Sequence, residues 1–120
     1  MGLPHHVRDL LLSEKPVATK VAASSDELRA FVAVYPFRRS LEINGEARYA
    51  YLKDAELLFN ARRFEITKEI LEQDYDVSEA DLLDLQSVVL PNEYTLEIIL
   101  HVWLDDLTRL DAAWKSDIPI

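Results

Sequence analysis

Acidic side chains crowd residues 72 to 85, where the sequence reads EQDYDVSEADLLDL. Asp74 and Asp76 have the spacing of the first two ligands in an EF-hand calcium loop. Such a loop also needs a sharp turn, usually at glycine, where this chain has Glu79, and a bidentate acid where it has Leu85. The pattern therefore predicts no calcium loop and no metal site, and we interpret these acids as a surface for a basic partner.

The charge of the chain is unevenly distributed. The net charge is −9, yet residues 65–106 hold twelve acids and one base, a net −11, whereas residues 1–64 carry a net +2. Such a surface can accelerate association with a basic protein by about one to three orders of magnitude at low salt. It also repels phosphate groups, so the charge pattern excludes nucleic acid as a partner.

The other candidates for chemistry are His101, Asp105 and Asp106. Adjacent residues on a helix point about 100° apart, so the two aspartates are not expected to line one small site together. The absence of cysteine excludes disulfides and thiolate metal sites. Only two glycines are present, which excludes glycine-rich phosphate loops. We therefore expect no enzyme activity and no cofactor; the alternative is a small enzyme or metal-dependent sensor that uses these three residues.

Length and composition predict one domain spanning residues 1–120. The chain is 49% apolar and 29% charged, which suits a folded core with a charged surface. No apolar run is long enough for a signal peptide or a transmembrane helix. We expect a cytoplasmic protein that does not associate with membranes.

Helical spacing of the apolar residues predicts a mainly α fold, a single-domain bundle of about five helices, with an α+β fold as the alternative. Residues 15–23 are expected to form a short strand or an extended connection. Five helices are expected. The first spans 5–14, the second begins at a capping box formed by Ser24 and Glu27 and ends at Pro36, and the third spans 47–72 with a break near Asn60. The fourth is capped by Ser78, with Val77 and Leu82 as a hydrophobic staple, and the fifth is the last helix of the chain.

Residues 37–52 fit two different structures. Asn44 and Gly45 suit the turn of a short β-hairpin, but a strict two-residue turn would place Leu41 opposite Arg48. The same two residues also suit the end of one helix before another begins. The sequence leaves the choice open.

The last helix carries the longest apolar stripe of the chain. Its members recur at alternating spacings of four and three residues, which keeps them on one side of a helix. We expect this 96–114 helix to close the core, with a homodimer or partner seam as the alternative. The stripe consists of Leu96, Leu100, Trp103, Leu107, Leu110 and Trp114.

As a small acidic chain that lacks cysteine and has one concentrated acidic segment, the protein resembles the small immunity proteins and antitoxins of bacteria. The resemblance implies that the acidic surface covers the basic, substrate-binding surface of a toxin, often a nuclease, without chemistry of its own. The alternative is an acidic secretion chaperone that binds an effector segment through the apolar stripe. The predicted partner-binding residues are Asp74, Tyr75, Asp76, Glu79, Asp81 and Asp84, with the tyrosine as an aromatic anchor.

Overall fold

The computed structural model describes residues 2–38, 41–43, 46–48, 57–72 and 77–115. The strands are β1 (Val17–Val21), β2 (Leu28–Arg38), β3 (Leu41–Ile43), β4 (Glu46–Arg48), β5 (Leu57–Thr67), β6 (Leu83–Leu90) and β7 (Asp111–Ala112). The helices are α1 (His5–Leu12), α2 (Lys68–Glu72) and α3 (Glu93–Trp103), with 3-10 turns at Glu79–Asp81, Leu107–Arg109 and Ala113–Lys115. Within this described part, no helix is long and apolar enough to cross a membrane.

The prediction of a mainly α bundle is wrong. The described chain is built around a five-stranded antiparallel sheet with the strand order β6-β5-β2-β1-β7. Strands β3 and β4 form a separate antiparallel pair. The architecture is a sheet-dominated α+β fold, which is the alternative stated from the sequence.

Burial on both faces of the sheet explains the error in β2. Residues 30–34 are buried without interruption. A continuous apolar run of this kind fits a buried helix as well as it fits a central strand. The capping pattern at Ser24 does not begin a helix either, because its backbone N–H and hydroxyl donate to the carboxylate of Glu65, at 3.1 and 2.7 Å.

Strand β5 replaces most of the described part of the helix predicted over 47–72, of which residues 49–56 lie outside the described residues. It pairs with β2 along its whole length, and Asn60, the expected break, lies opposite Tyr35 in regular register. Only the last turn of the described segment, α2, is helical.

Within residues 37–52, where the choice was left open, the described residues 41–43 and 46–48 form paired strands. Leu41 lies opposite Arg48, and Ile43 lies opposite Glu46. This is the register expected for a two-residue turn.

Helices α1 and α3 pack on one face of the five-stranded sheet. The helix predicted over 5–14 is confirmed as α1, which buries Val7 and Leu11. Helix α3 begins after Asn92, whose Oδ1 accepts a hydrogen bond from the backbone N–H of Thr95 at 2.9 Å. The main core cluster lies between these helices and the sheet and contains Val7, Leu11, Val17, Val32, Val34, Phe59, Ala61, Leu90, Leu96, Leu100, Leu104, Leu107 and Leu110.

A second core cluster lies on the opposite face of the sheet. Phe31 of β2 and Phe64 of β5 stack with their ring centroids 5.5 Å apart. Leu82 completes the buried set with Ile66, and Val77 packs against it. Val77 and Leu82, predicted as a hydrophobic staple, both belong to this cluster, but only a single 3-10 turn lies between them and β6 follows.

The predicted 96–114 helix is wrong beyond Trp103. The chain is extended at Leu104 and continues through a 3-10 turn into β7. All four leucines of the stripe still lie in the main core cluster, whereas Trp114 is 77% exposed. The stripe closes the core as expected, but it does so from successive short elements.

Candidate protein-binding surface

Antiparallel pairing brings acids from three separate segments to one end of the sheet. Leu28, at the start of β2, lies opposite Thr67, at the end of β5, and Leu83, at the start of β6, lies opposite Glu65. The segments just outside these strand ends are therefore neighbours. We call this region the acidic end and define it by Asp26, Glu27, Glu69, Glu72, Glu79, Asp81 and Asp84.

Glu79 is positioned by an ion pair with the sheet. It lies in the 3-10 turn before β6, and its Oε1 accepts a hydrogen bond from Nη2 of Arg62. The Arg62 side chain is 13% exposed and the Glu79 side chain is 69% exposed. Burial raises the pKa of the neighbouring Tyr35, and the charge of Arg62 partly opposes that rise. The pair fixes the turn on the sheet and leaves most of the Glu79 carboxylate facing solvent.

Asp81 stabilises the same 3-10 turn by hydrogen bonds within it. Its Oδ2 accepts hydrogen bonds from the backbone N–H of Ser78 at 2.9 Å and from the Ser78 hydroxyl at 3.3 Å. Ser78 thus begins a helical turn, as the sequence predicted, but the turn is a single 3-10 turn. Asp81 both carries charge and stabilises the start of β6.

Asp84 forms a bulge in β6. Between Arg63 and Glu65, β5 has one residue where β6 has two, Asp84 and Leu85. Asp84 has a φ of 51°, a left-handed conformation that aspartate and asparagine tolerate better than most residues. Asp84 is exposed near the start of the edge strand β6.

The other three predicted residues, Asp74, Tyr75 and Asp76, lie outside the described residues. In the sequence they connect α2 to the 3-10 turn at Glu79–Asp81, and both of these elements lie at the acidic end. Their part in the surface stays a prediction.

A second group of acids at the acidic end was missed from the sequence. Asp26 and Glu27, before β2, line a surface depression of about 480 Å³ together with Glu69 and Glu72. Lys68 lies among them, and its backbone N–H donates to the carbonyl of Glu27 at 2.9 Å. Only the pairing of β2 with β5 brings these segments together, so no local pattern reveals the group.

Glu65 belongs to the acidic segment of the sequence but not to the surface. The residue is 4% exposed, and its two carboxylate oxygens accept the two hydrogen bonds from Ser24. Nη2 of Arg63 lies 4.0 Å from Oε1. This carboxylate therefore ties the β1–β2 connection to β5.

Strand β6 is an exposed sheet edge beside the acidic end. It pairs with β5 on one side, and within the described ranges no strand lies on its other side. Seven of its eight residues are exposed, including four large apolar ones. The sequence signal was the β-branched pair Val88 and Val89 just before Pro91, which favours a strand over the predicted helix. The exposed apolar residues are Leu83, Leu85, Val88 and Val89.

The residues considered for catalysis lie elsewhere, near the end of α3. His101, Asp105 and Asp106 line one depression, and His101 Nε2 lies 3.5 Å from Oε1 of Glu97. Asp106 caps the next 3-10 turn, since its Oδ1 accepts from the hydroxyl and the backbone N–H of Thr108 at 2.6 and 3.0 Å. These bonds lower the pKa of Asp106. Among the described residues, no group of three or more His, Cys, Asp or Glu side chains is arranged to hold a metal ion.

A cavity of about 280 Å³ on the helix-covered side is lined by Trp103 and two arginines, Arg63 and Arg109. Arg109 Nη2 donates to the carbonyl of Lys20 at 2.9 Å, and its Nη1 lies 3.9 Å from Oδ1 of Asp105. Because Arg63 faces Glu65, both cations are balanced by carboxylates of the chain itself.

We compared the chain with protein-family models, curated proteins and solved structures, and none matches it significantly.

Proposed function

We propose that this chain is a non-catalytic binding protein whose acidic end engages a basic protein. The observation that carries the proposal is the convergence of acids from residues 26–27, 69–72 and 79–84 at one end of the sheet. Charge of one sign on a single surface accelerates encounter with a partner of opposite charge and disfavours acidic competitors. Exposed carboxylates at a rim contribute mainly to the association rate, so the rate is the quantity to measure.

The resemblance to bacterial immunity proteins implies a finer version of this proposal. In that version the basic partner is a toxin, such as a nuclease, and the acidic end covers its substrate-binding surface. This version rests on the composition and charge of the sequence, and the coarser proposal does not depend on it.

The proposal is tested by neutralising three acids together: Glu79→Gln, Asp81→Asn and Asp84→Asn. Asparagine at position 81 and glutamine at position 79 can still accept from Ser78 and Arg62, and asparagine at position 84 tolerates a positive φ. We therefore expect the fold to be retained. Basic proteins captured by the wild-type chain from a lysate of its source are identified and purified, and their association rates are measured. The triple variant should associate about tenfold more slowly at low salt, and the difference should shrink as salt screens the charges.

The matched control changes the same charge outside the acidic end, with Asp9→Asn, Glu14→Gln and Glu93→Gln on or beside α1 and α3. We expect its association rate to stay within about twofold of the wild type, because the altered charges lie away from the proposed surface. Equal slowing by both triple variants would mean that net charge alone controls encounter. Association that ignores both salt and the acidic-end variant would refute the proposal outright.

A further inference from the structure

The outer edge of β6 has the properties of a pairing surface. A strand at a sheet edge presents unpaired backbone N–H and C=O groups, and proteins usually block such edges with lysine, proline or a very short strand. This strand has eight residues, contains neither lysine nor proline, and carries one charge, Asp84. Its side chains at Leu85 and Val89 are 39% and 56% exposed. The edge is long, apolar and accessible.

The bulge at Asp84 defines which part of the edge is regular. From Gln86 to Leu90, five consecutive residues pair with β5 without a shift in register. The irregularity lies on the other side of Gln86, towards the acidic end. A strand added to this edge therefore has five residues of regular backbone to pair with, about the length of an ordinary strand.

Both faces of the regular part offer apolar contact. Val88 lies opposite Ala61, which belongs to the helix-covered core cluster, and Val89 lies opposite Asn60 on the other face. The hydroxyl of Ser87 donates to Oδ1 of Asn60 at 2.9 Å, so these two side chains are paired within the sheet. Alternate side chains of an added strand would thus meet Val88 on one face and Val89 on the other.

The negative charge of the acidic end indicates what kind of segment can pair with β6. Asp84 is the second residue of β6, and Glu79 and Asp81 lie in the 3-10 turn just before the strand, so one end of an added strand lies close to carboxylates. A second copy of this chain carries the same net charge of −9 and the same acidic end. A basic segment gains from those carboxylates, whereas a second copy is repelled by them.

We propose that β6 docks an extended segment of the basic partner, which joins the sheet as an additional strand with apolar residues along β6 and basic residues at the end next to Asp84. This inference rests on the proposed function and assigns its mode of binding. The backbone pairs supply affinity, Val88 and Val89 supply apolar contact, and the acidic end selects the charge.

The test uses two synthetic peptides of about ten residues, both alternating valine and threonine, one ending in two lysines and the other in two glutamates. Binding is followed by amide NMR shifts and by hydrogen exchange of the β6 amides in the whole chain. The lysine peptide should slow exchange on β6 and bind about tenfold more tightly than the glutamate peptide. Asp84→Asn should reduce this preference, because it removes the charge and keeps the bulge.

Val89→Lys provides the decisive variant, because lysine on an edge is a natural block to pairing and position 89 is exposed enough to accept it. It should weaken lysine-peptide binding about tenfold. Ile98→Lys is the matched control, an exposed apolar residue on α3 away from the edge, and should leave binding unchanged. Unchanged thermal unfolding of both variants establishes that the fold is intact.

The outcomes separate this inference from the proposed function. If the acidic-end triple variant slows association with the captured partner while Val89→Lys changes neither peptide binding nor β6 protection, strand addition is wrong and the proposed function stands. If sedimentation shows a wild-type dimer that Val89→Lys converts to a monomer, the occupant of the edge is a second copy and the inference is overturned.

Discussion

Replacement of Glu65 should destabilise the fold without slowing the binding of a basic partner. Its side chain is 5% exposed, and its carboxylate accepts two hydrogen bonds from Ser24 at 3.1 and 2.7 Å. A hydrogen bond to a charged group contributes about 1.5–3 kcal/mol to stability. Because Ser24 is exposed and its donors regain water in the variant, we expect the lower value for each bond. Glu65→Ala should lower the free energy of unfolding by about 3 kcal/mol, and Glu65→Gln, which keeps one acceptor, by about 1.5 kcal/mol.

The assay is urea unfolding, followed by the fluorescence of Trp103, which packs against the main core cluster. Glu69→Gln serves as the control, because Glu69 is an exposed acid in the same segment of the sequence, and its free energy of unfolding should change by less than about 0.5 kcal/mol. If the Glu65 variants were as stable as this control, the bonds to Ser24 would have no net effect and the structural role assigned to Glu65 would be incorrect.

Two further predictions concern the backbone at Asp84 and the titration of Asp106. Asp84→Val should lower the free energy of unfolding by about 1–2 kcal/mol, because a β-branched residue is strained at a φ of 51°. Asp84→Gly should not lower it, because glycine adopts a positive φ without strain. Equal urea midpoints for the two variants would contradict this prediction. The hydrogen bonds from Thr108 favour the charged carboxylate, so the folded-state pKa of Asp106 is lowered. The group stabilises the fold above about pH 4, and this stabilisation is lost as the pH falls through the lowered pKa. Thr108→Val removes the hydroxyl bond and keeps the backbone bond, so it should raise the pKa of Asp106 in a carbon-13 NMR titration. An unmoved pKa would exclude the hydroxyl bond as a cause of the lowered value.

The sequence predicted the elements whose signals are local. Helix α1, the extended segment that becomes β1, and the helical turn begun by Ser78 all have their capping or apolar pattern within a few residues. Signals of this kind lie within a few residues of each other, so they can be recognised from neighbours in the sequence.

The central strands could not be separated from helices by apolar spacing. Residues 30–34 are buried on both faces, so their pattern lacks the polar and apolar alternation of a half-buried strand. The stronger signal was composition, since Phe31, Val32 and Val34 favour strands. The acidic end was predicted only in its 79–84 part, because Asp26 and Glu27 reach it through the pairing of β2 with β5.

The pairing of β1 with β7 makes folding depend on a late part of the chain. Strand β1 lies between β2 and β7, and the backbone N–H of Ala113 donates to the carbonyl of Pro16 at 3.0 Å. His6 Nε2 donates to the carbonyl of Leu110 at 2.7 Å, across a separation of 104 residues. Such long loops must close before their contacts contribute any stability, which slows folding. During synthesis, β1 and α1 therefore cannot complete their packing until residues 104–115 have left the ribosome, so this sheet cannot finish folding while only its first strands have been made.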